Sequence, residues 1–163
     1  REGMNSTARP SAQAPCLAVF HWPVRVYWED TDAGGIVYYA NYLKFFERSR
    51  PEGLRSLGLA QSELAAQSGL VFVVADVHLR SAAPAKLDDA LQIQLRLQDI
   101  GSASLTVAQQ AWRCDASGAP AALLCEATVR VGCVAAATLR PSRIPRVVFD
   151  RVTRWAAPAS PAP

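Results

Sequence analysis

The sequence predicts an α+β domain in which a five-stranded antiparallel sheet wraps around one long helix. Three observations predict it. An apolar stripe at helical spacing appears once at length, from about Tyr39 to Leu57. Four long runs with strand periodicity follow it, separated by short turn-rich segments. One further strand precedes the helix. The chain has 163 residues, half of them hydrophobic, which suits one core and one domain.

The first strand is read from Trp22 to Trp28, with Val24, Val26 and Trp28 on one face and Arg25 and Tyr27 on the other. In the helix, Tyr39, Tyr42, Leu43 and Phe46 form the apolar stripe. Phe45 widens it, and Leu54 and Leu57 extend it. Pro51 removes a backbone donor, so a kink or break is expected near Ser49 or Arg50. Gln61 to Gln67 reads as a short second helix. Leu70 to Val77 is apolar and β-branched, a buried strand reaching about Ala82. Leu91, Ile93, Leu95 and Leu97 alternate with polar residues in the clearest strand of the chain. Ser104 to Cys114 is the next, closed by the turn Asp115–Gly118. Leu123, Cys125, Ala127, Val129, Val131 and Cys133 alternate along the last. Strands of this length twist and curl around the helix. One helix covers only one face of the sheet, so an exposed edge and leftover apolar surface predict a homo-oligomer.

Residues 1–15 are rich in Ala, Ser, Pro and Gln and are expected to be disordered. The folded domain is expected over 16–150, followed by a loose Pro/Ala-rich tail over 151–163. A net charge of +3 with scattered basic residues excludes a nucleic-acid footprint. The arginines at 140, 143, 146, 151 and 154 read as a solvated C-terminal face. No run approaches the length of a membrane-spanning helix. The N-terminal segment lacks the apolar centre of an export signal, so a cytoplasmic protein is expected. Cys16, Cys114, Cys125 and Cys133 lack metal-ligand spacing and read as reduced thiols. No Gly-x-Ser-x-Gly segment supplies a serine nucleophile.

The chemistry concentrates between Tyr27 and Tyr42. A strand there runs into the acidic turn Glu29-Asp30-Thr31-Asp32, then Gly34 and Gly35, then an aromatic helix. This order puts the Asp32 carboxylate a few residues before a helix N-terminus, where free backbone N–H groups favour developing negative charge. A carboxylate beside such an end can hydrolyse an activated acyl group without a metal. The competing reading makes Asp32 a turn or capping residue. Glu29 and Asp30 read as turn residues, and no second acidic cluster completes a metal site with them. Gly34 and Gly35 let the backbone turn sharply and approach a ligand closely.

The stretch from Arg25 to Tyr42, continued by Phe45–Arg50 and by the later turn Ala83–Asp89, resembles the hot-dog fold acyl-CoA thioesterases. Within them it is nearest the branch related to 4-hydroxybenzoyl-CoA thioesterase that includes the Tol-Pal-associated enzyme. The resemblance covers roughly residues 20–148. It implies the hot-dog fold and hydrolysis of a thioester to free acid and coenzyme A. It implies that Asp32 carries the chemistry and that the Tyr39 backbone N–H receives the oxyanion. Trp28, Val37 and Tyr38 become candidates for the acyl pocket, Gly35 for close approach to substrate. Ser104 is a candidate for positioning substrate or Asp32 from a facing strand. No cofactor or metal is implied, coenzyme A being part of the substrate.

Two departures stand out. The Tol-Pal branch usually carries histidine where this chain has Tyr39. The loop from Asp99 to Ser104 lacks the basic residues some relatives use on coenzyme A phosphates, leaving Lys86 and the C-terminal arginines as substitutes. The expected partners are an acyl-CoA or acyl-carrier-protein substrate and further copies of the chain, as a dimer or homotetramer, with peripheral contact with the inner membrane as a further expectation. A hot-dog hydratase or dehydratase and a non-catalytic acyl-binding module are the competing functions.

Overall fold

The structure is a computed structural model describing residues 18–158. Expectations for residues 1–15, for Cys16 and for the last five residues lie outside the described residues. Five strands form one antiparallel sheet: β1 (Phe20–Arg25), β2 (Leu70–Ser81), β3 (Ala90–Ile100), β4 (Ser104–Cys114) and β5 (Pro120–Ala135). Their spatial order is β1-β3-β4-β5-β2, with β1 and β2 at the edges. The long helix α1 (Asn41–Ser56) packs on the inner face of this sheet, and α2 (Gln61–Ser68) follows it. This is the hot-dog arrangement.

Apolar alternation builds the inner face. Leu91, Ile93 and Leu95 of β3, Val107 and Ala111 of β4, and Cys125, Ala127, Val129 and Val131 of β5 are buried. Phe45 and Phe46 of α1 close onto them, 1% and 0% exposed. A β-bulge where Trp112 pairs with Leu123 shifts the register, and Leu124 also turns inward.

Four expectations are corrected. First, the strand ends at Arg25 rather than running to Trp28. Val26 ties its backbone to Asp88 and Asp89 (Asp88 N–H to Val26 O, 3.0 Å; Val26 N–H to Asp89 O, 3.1 Å). The chain then enters a 3₁₀ turn over Trp28–Asp30, held by the Tyr27 N–H donating to Asp30 Oδ2 at 2.8 Å. Val26 is therefore fully buried, whereas Trp28 is 79% exposed.

Second, α1 does not break before Pro51. Gln109, on the inner face of β4 beside Leu95 and Ala127, supports the turn that precedes the proline. Its Nε2 donates to Phe46 O at 2.9 Å and to Ser49 Oγ at 2.7 Å, and its Oε1 accepts from Arg50 at 3.1 Å. Ser49 Oγ donates to the same Phe46 carbonyl at 2.8 Å. The carbonyl that Pro51 leaves without a helical donor is that of Glu47, so Gln109 does not replace the missing bond; it ties the turn before the proline to the sheet.

Third, the domain does not end at residue 150. Helix α3 (Arg146–Ala156) crosses the expected boundary. Val148 and Val152, one helical turn apart, bury against Leu59, Leu64, Cys133 and Ile144 in a second apolar cluster. Arg151 caps the end of α1 by donating to Leu57 O at 3.2 Å and Gly58 O at 3.1 Å. Arg146 pairs with Asp150 at 3.0 Å.

Fourth, the outer sheet face is polar. His21, Gln94, Gln110, Glu126 and Arg80 stand side by side across all five strands, with Arg80 paired to Glu126. Within the sheet, the exposed large apolar side chains lie on the edge strand β2, where Val73, Val74 and Val77 are 38%, 48% and 38% exposed.

Candidate active site

The segment between β1 and α1 is a pinned loop. Thr31 bridges to Val37, and Ile36 bridges to Lys86 before β3. Asp32 N–H donates to Ile36 O at 2.9 Å, and Gly35 N–H returns to Asp32 O at 3.0 Å. Asp30 is buried, and its carbonyl oxygen accepts from Asn41 Nδ2 at 2.8 Å, tying the loop to the first residue of α1. Glu29 and Asp30 thus serve the turn or face solvent. Among the described residues, no three His, Cys, Asp or Glu side chains cluster as metal ligands.

Asp32 itself is exposed. Its Oδ1 accepts the Gly34 N–H at 2.8 Å, and Oδ2 has no hydrogen-bond partner among the described residues. One oxygen therefore fixes the carboxylate, and the other stays open. The glycines are explained by this geometry. A Cβ at Gly34 would lie 3.0 Å from Asp32 Oδ1, and Gly35 sits at φ +74°, the left-handed region.

The helix begins without a side-chain cap. Asn41 N–H donates to Tyr38 O at 2.8 Å and Tyr38 N–H to Asp30 O at 3.0 Å. The intervening N–H groups of Tyr39 and Ala40 find no acceptor among the described residues. They are the free donors of this helix end, where the backbone dipoles concentrate partial positive charge.

The other candidates divide. Trp28, Tyr38 and Tyr39 are 79%, 46% and 63% exposed, and with Tyr27 they surround the Asp32 loop with uncovered aromatic surface. The rings of Tyr38 and Tyr39 lie 4.9 Å apart at 58°, and the Tyr39 phenol raises the Tyr38 hydroxyl above its ordinary pKa. Val37 is 4% exposed and belongs to the core, its N–H donating to Ala85 O at 2.9 Å. It anchors the loop to the core. Ser104 opens β4 at the far end of the sheet, opposite Gly132. The Asp32 loop lies near the start of β3, and β3 runs roughly 35 Å to the turn preceding Ser104. A single chain does not bring the two together.

Sequence reading put Tyr42 on the apolar stripe but did not single out its hydroxyl, and it missed Gln109. Tyr42 is 3% exposed under the helix start, and its hydroxyl has no hydrogen-bond partner among the described residues. Burial pushes that hydroxyl up to about 12. No sequence signal separates it from the other tyrosines of the segment. Gln109 was detectable as a polar residue in an inward-facing strand position.

Residues 26–152 match the family model described as the thioesterase-like superfamily. The acyl-CoA thioester hydrolase YbgC of Escherichia coli is 42% identical over 130 residues, 80% of this chain and 92% of that protein. The acyl-CoA thioesterase YbgC of Haemophilus influenzae is 40% identical over 129 residues, 79% and 90% of the two chains. Among solved structures, a 1,4-dihydroxy-2-naphthoyl-CoA thioesterase from Synechocystis superposes with a TM-score of 0.76 at 19% identity, covering 86% of this chain and 99% of that one. The last likeness shows the fold, and the first three, with the match running from the Asp32 loop through most of α3, show that this chain belongs to the thioesterase-like superfamily.

Proposed function

We propose that this protein is an acyl-CoA thioesterase working through Asp32 and the N-terminus of α1. The observation that carries the reading is the pairing of a half-free carboxylate with two unpartnered backbone N–H groups on one pinned loop. With the thioester carbonyl at the helix end, Asp32 attacks it directly or removes a proton from an attacking water. The tetrahedral oxyanion is received by the N–H of Tyr39 and Ala40. Its collapse expels the thiolate of coenzyme A; on the water route this leaves the free acid, and on the direct route it leaves a mixed anhydride on Asp32 that a water then cleaves to the free acid and the restored carboxylate. A preorganised donor of this kind is worth about 3 kcal/mol in the transition state. The backbone donor does not depend on the side chain at position 39, so tyrosine in place of histidine preserves it. The names of the YbgC relatives support the same substrate class. No cofactor enters this scheme.

The working unit in this proposal is a homodimer, or two such dimers as a homotetramer. Support comes from β2, a 12-residue edge strand paired on one side only and carrying exposed valines. A partner also gives the aromatic surface around Asp32 a cover and gives Ser104 a route to a neighbouring site. No helix of the described residues is long and apolar enough to cross a membrane. Free Cys114, Cys125 and Cys133 fit the reducing cytoplasm that the proposal assigns.

The proposal is tested by following free thiol from a panel of short, long and aromatic acyl-CoAs, with an enoyl-CoA included. Thiol release is expected. Addition of water to the enoyl group with the thioester left intact would assign a hydratase instead.

A further inference from the structure

The two halves of the candidate site come from opposite arms of one loop. Asp32 follows the 3₁₀ turn, and the free N–H groups of Tyr39 and Ala40 open α1. Three ties hold the arms together ahead of the helix. They are the Thr31–Val37 bridge, the Asp32 N–H on Ile36 O at 2.9 Å and the Tyr38 N–H on Asp30 O at 3.0 Å. None of these three reaches past Tyr38. The first bonds of the helix run from Asn41 N–H to Tyr38 O at 2.8 Å and from Tyr42 N–H to Tyr39 O at 3.3 Å. The two free donors therefore sit on a span between the last loop tie and the first helical turn.

Asn41 closes that span. Its Nδ2 donates to Asp30 O at 2.8 Å, the same oxygen that accepts the Tyr38 N–H. Both lone pairs of this carbonyl are thus engaged, one from each side of Tyr39 and Ala40. Asp30 is itself fixed: it is 6% exposed, and its carboxylate holds the Tyr27 N–H at 2.8 Å. Asp32 lies two residues further along the same backbone. One carbonyl oxygen is therefore the common reference for the carboxylate and for the donors. The residue types point the same way. Asparagine at a helix end ordinarily caps it, its side-chain oxygen taking a free backbone N–H. Here Asn41 is already the first helical residue, Ala40 holds the cap position, and no side chain caps the end. Alanine is among the weakest capping residues, and asparagine is a poorer helix former than alanine. The segment thus forgoes a cap, keeps both N–H groups open and uses the Asn41 amide for the tie to Asp30.

We infer that Asn41 is a positioning residue: through Asp30 O it sets the distance and direction of the Tyr39 and Ala40 N–H groups relative to Asp32. The role rests on the thioesterase reading above and adds a residue to it. The transition state needs those donors and the carboxylate in register at once, whereas binding of an acyl-CoA draws on contacts spread along the whole substrate. Loss of the tie therefore falls on kcat rather than on KM.

Steady-state thiol release by wild type, Asn41→Ala, Asn41→His and Asp32→Asn, each beside a melting curve, tests the inference. Asn41→Ala removes the donor but supplies a better helix former, so the melting temperature is expected to stay nearly constant. Its kcat is expected to fall at least about tenfold, with KM within about threefold of wild type. In Asn41→His the ring Nδ1 stands where Nδ2 stood, the same number of bonds from the backbone, and can donate to Asp30 O. Asn41 is half-buried, which gives the ring a way out to solvent. Recovery of kcat to within about threefold of wild type is expected. A normal kcat in Asn41→Ala, a loss carried by KM alone, or a lower melting temperature with kcat kept would overturn the role. So would an Asn41→His variant no faster than Asn41→Ala. Those outcomes leave the thioesterase reading standing so long as Asp32→Asn is inactive. A wild type without turnover on any acyl-CoA would remove that reading and this role together.

Discussion

Asp32 and Gly34 form the smallest unit of the account. The carboxylate is aimed by one hydrogen bond from the Gly34 N–H, and position 34 has no room for a Cβ beside Oδ1. Gly34→Ala is therefore expected to displace the carboxylate. Misplacement of a catalytic group by about 1 Å costs on the order of a hundredfold in rate. Because the loop is exposed, the melting temperature is expected to stay nearly constant; steady-state kinetics beside a melting curve checks both. A variant with normal kcat would show that the aim of Asp32 does not matter. Tyr42 gives the opposite case. Its buried hydroxyl has no hydrogen-bond partner among the described residues, so Tyr42→Phe is expected to be neutral or to stabilise by about 1 kcal/mol in urea unfolding. A loss of that size would reveal a partner for the hydroxyl. The position of Asp32 was legible because the order of strand, acidic turn, glycines and helix is local. The burial of Val37 was not legible, because the same segment serves both loop and core and only the bridge to Thr31 and the buried position separate them.

Among the elements, the strands of the sheet's centre were legible to within a few residues, since period-two alternation with one buried face leaves little choice of register. Helix α1 was legible in extent, but not in its tolerance of Pro51. The turn before the proline is braced by Gln109, sixty residues away in sequence from Ser49. Gln109→Leu is expected to cost about 1–3 kcal/mol, since it strips Arg50 and Ser49 of a buried partner. Gln98→Leu on the outer part of β3 is expected to change stability by less than about 0.5 kcal/mol. Chemical unfolding of the two variants compares them directly. Helix α3 was obscured by its own arginines and by the prolines on both sides. Its signal was the four-residue spacing of Val148 and Val152, which only the second apolar cluster makes meaningful.

The whole molecule has a polar outer face, an apolar edge at β2 and buried acidic protons. The polar outer face needs no cover, which concentrates the drive for association on β2. Val74→Lys is expected to shift the protein toward monomer in analytical ultracentrifugation. Unchanged assembly would move the interface elsewhere. Alkaline pH probes the core as a unit. Burial raises Cys125 and Tyr42 to about 12 each, above their ordinary 9.0 and 10.0. Both protons are therefore held more tightly in the folded chain than in the unfolded one. Their contribution is fully present below about pH 9 and is lost as pH rises toward 12. The melting temperature is expected to fall across that window, and Cys125→Val is expected to flatten the fall between pH 9 and 10.

The central claim is that Asp32 performs thioester hydrolysis beside the free N–H groups of Tyr39 and Ala40. The most direct measurement is the rate of thiol release from the best acyl-CoA by wild type and Asp32→Asn, with circular dichroism showing both folded. The account predicts turnover by the wild type and a loss of at least about a thousandfold in the variant, in keeping with removal of the group that makes the attack. Retention of wild-type turnover by a folded Asp32→Asn protein would contradict it.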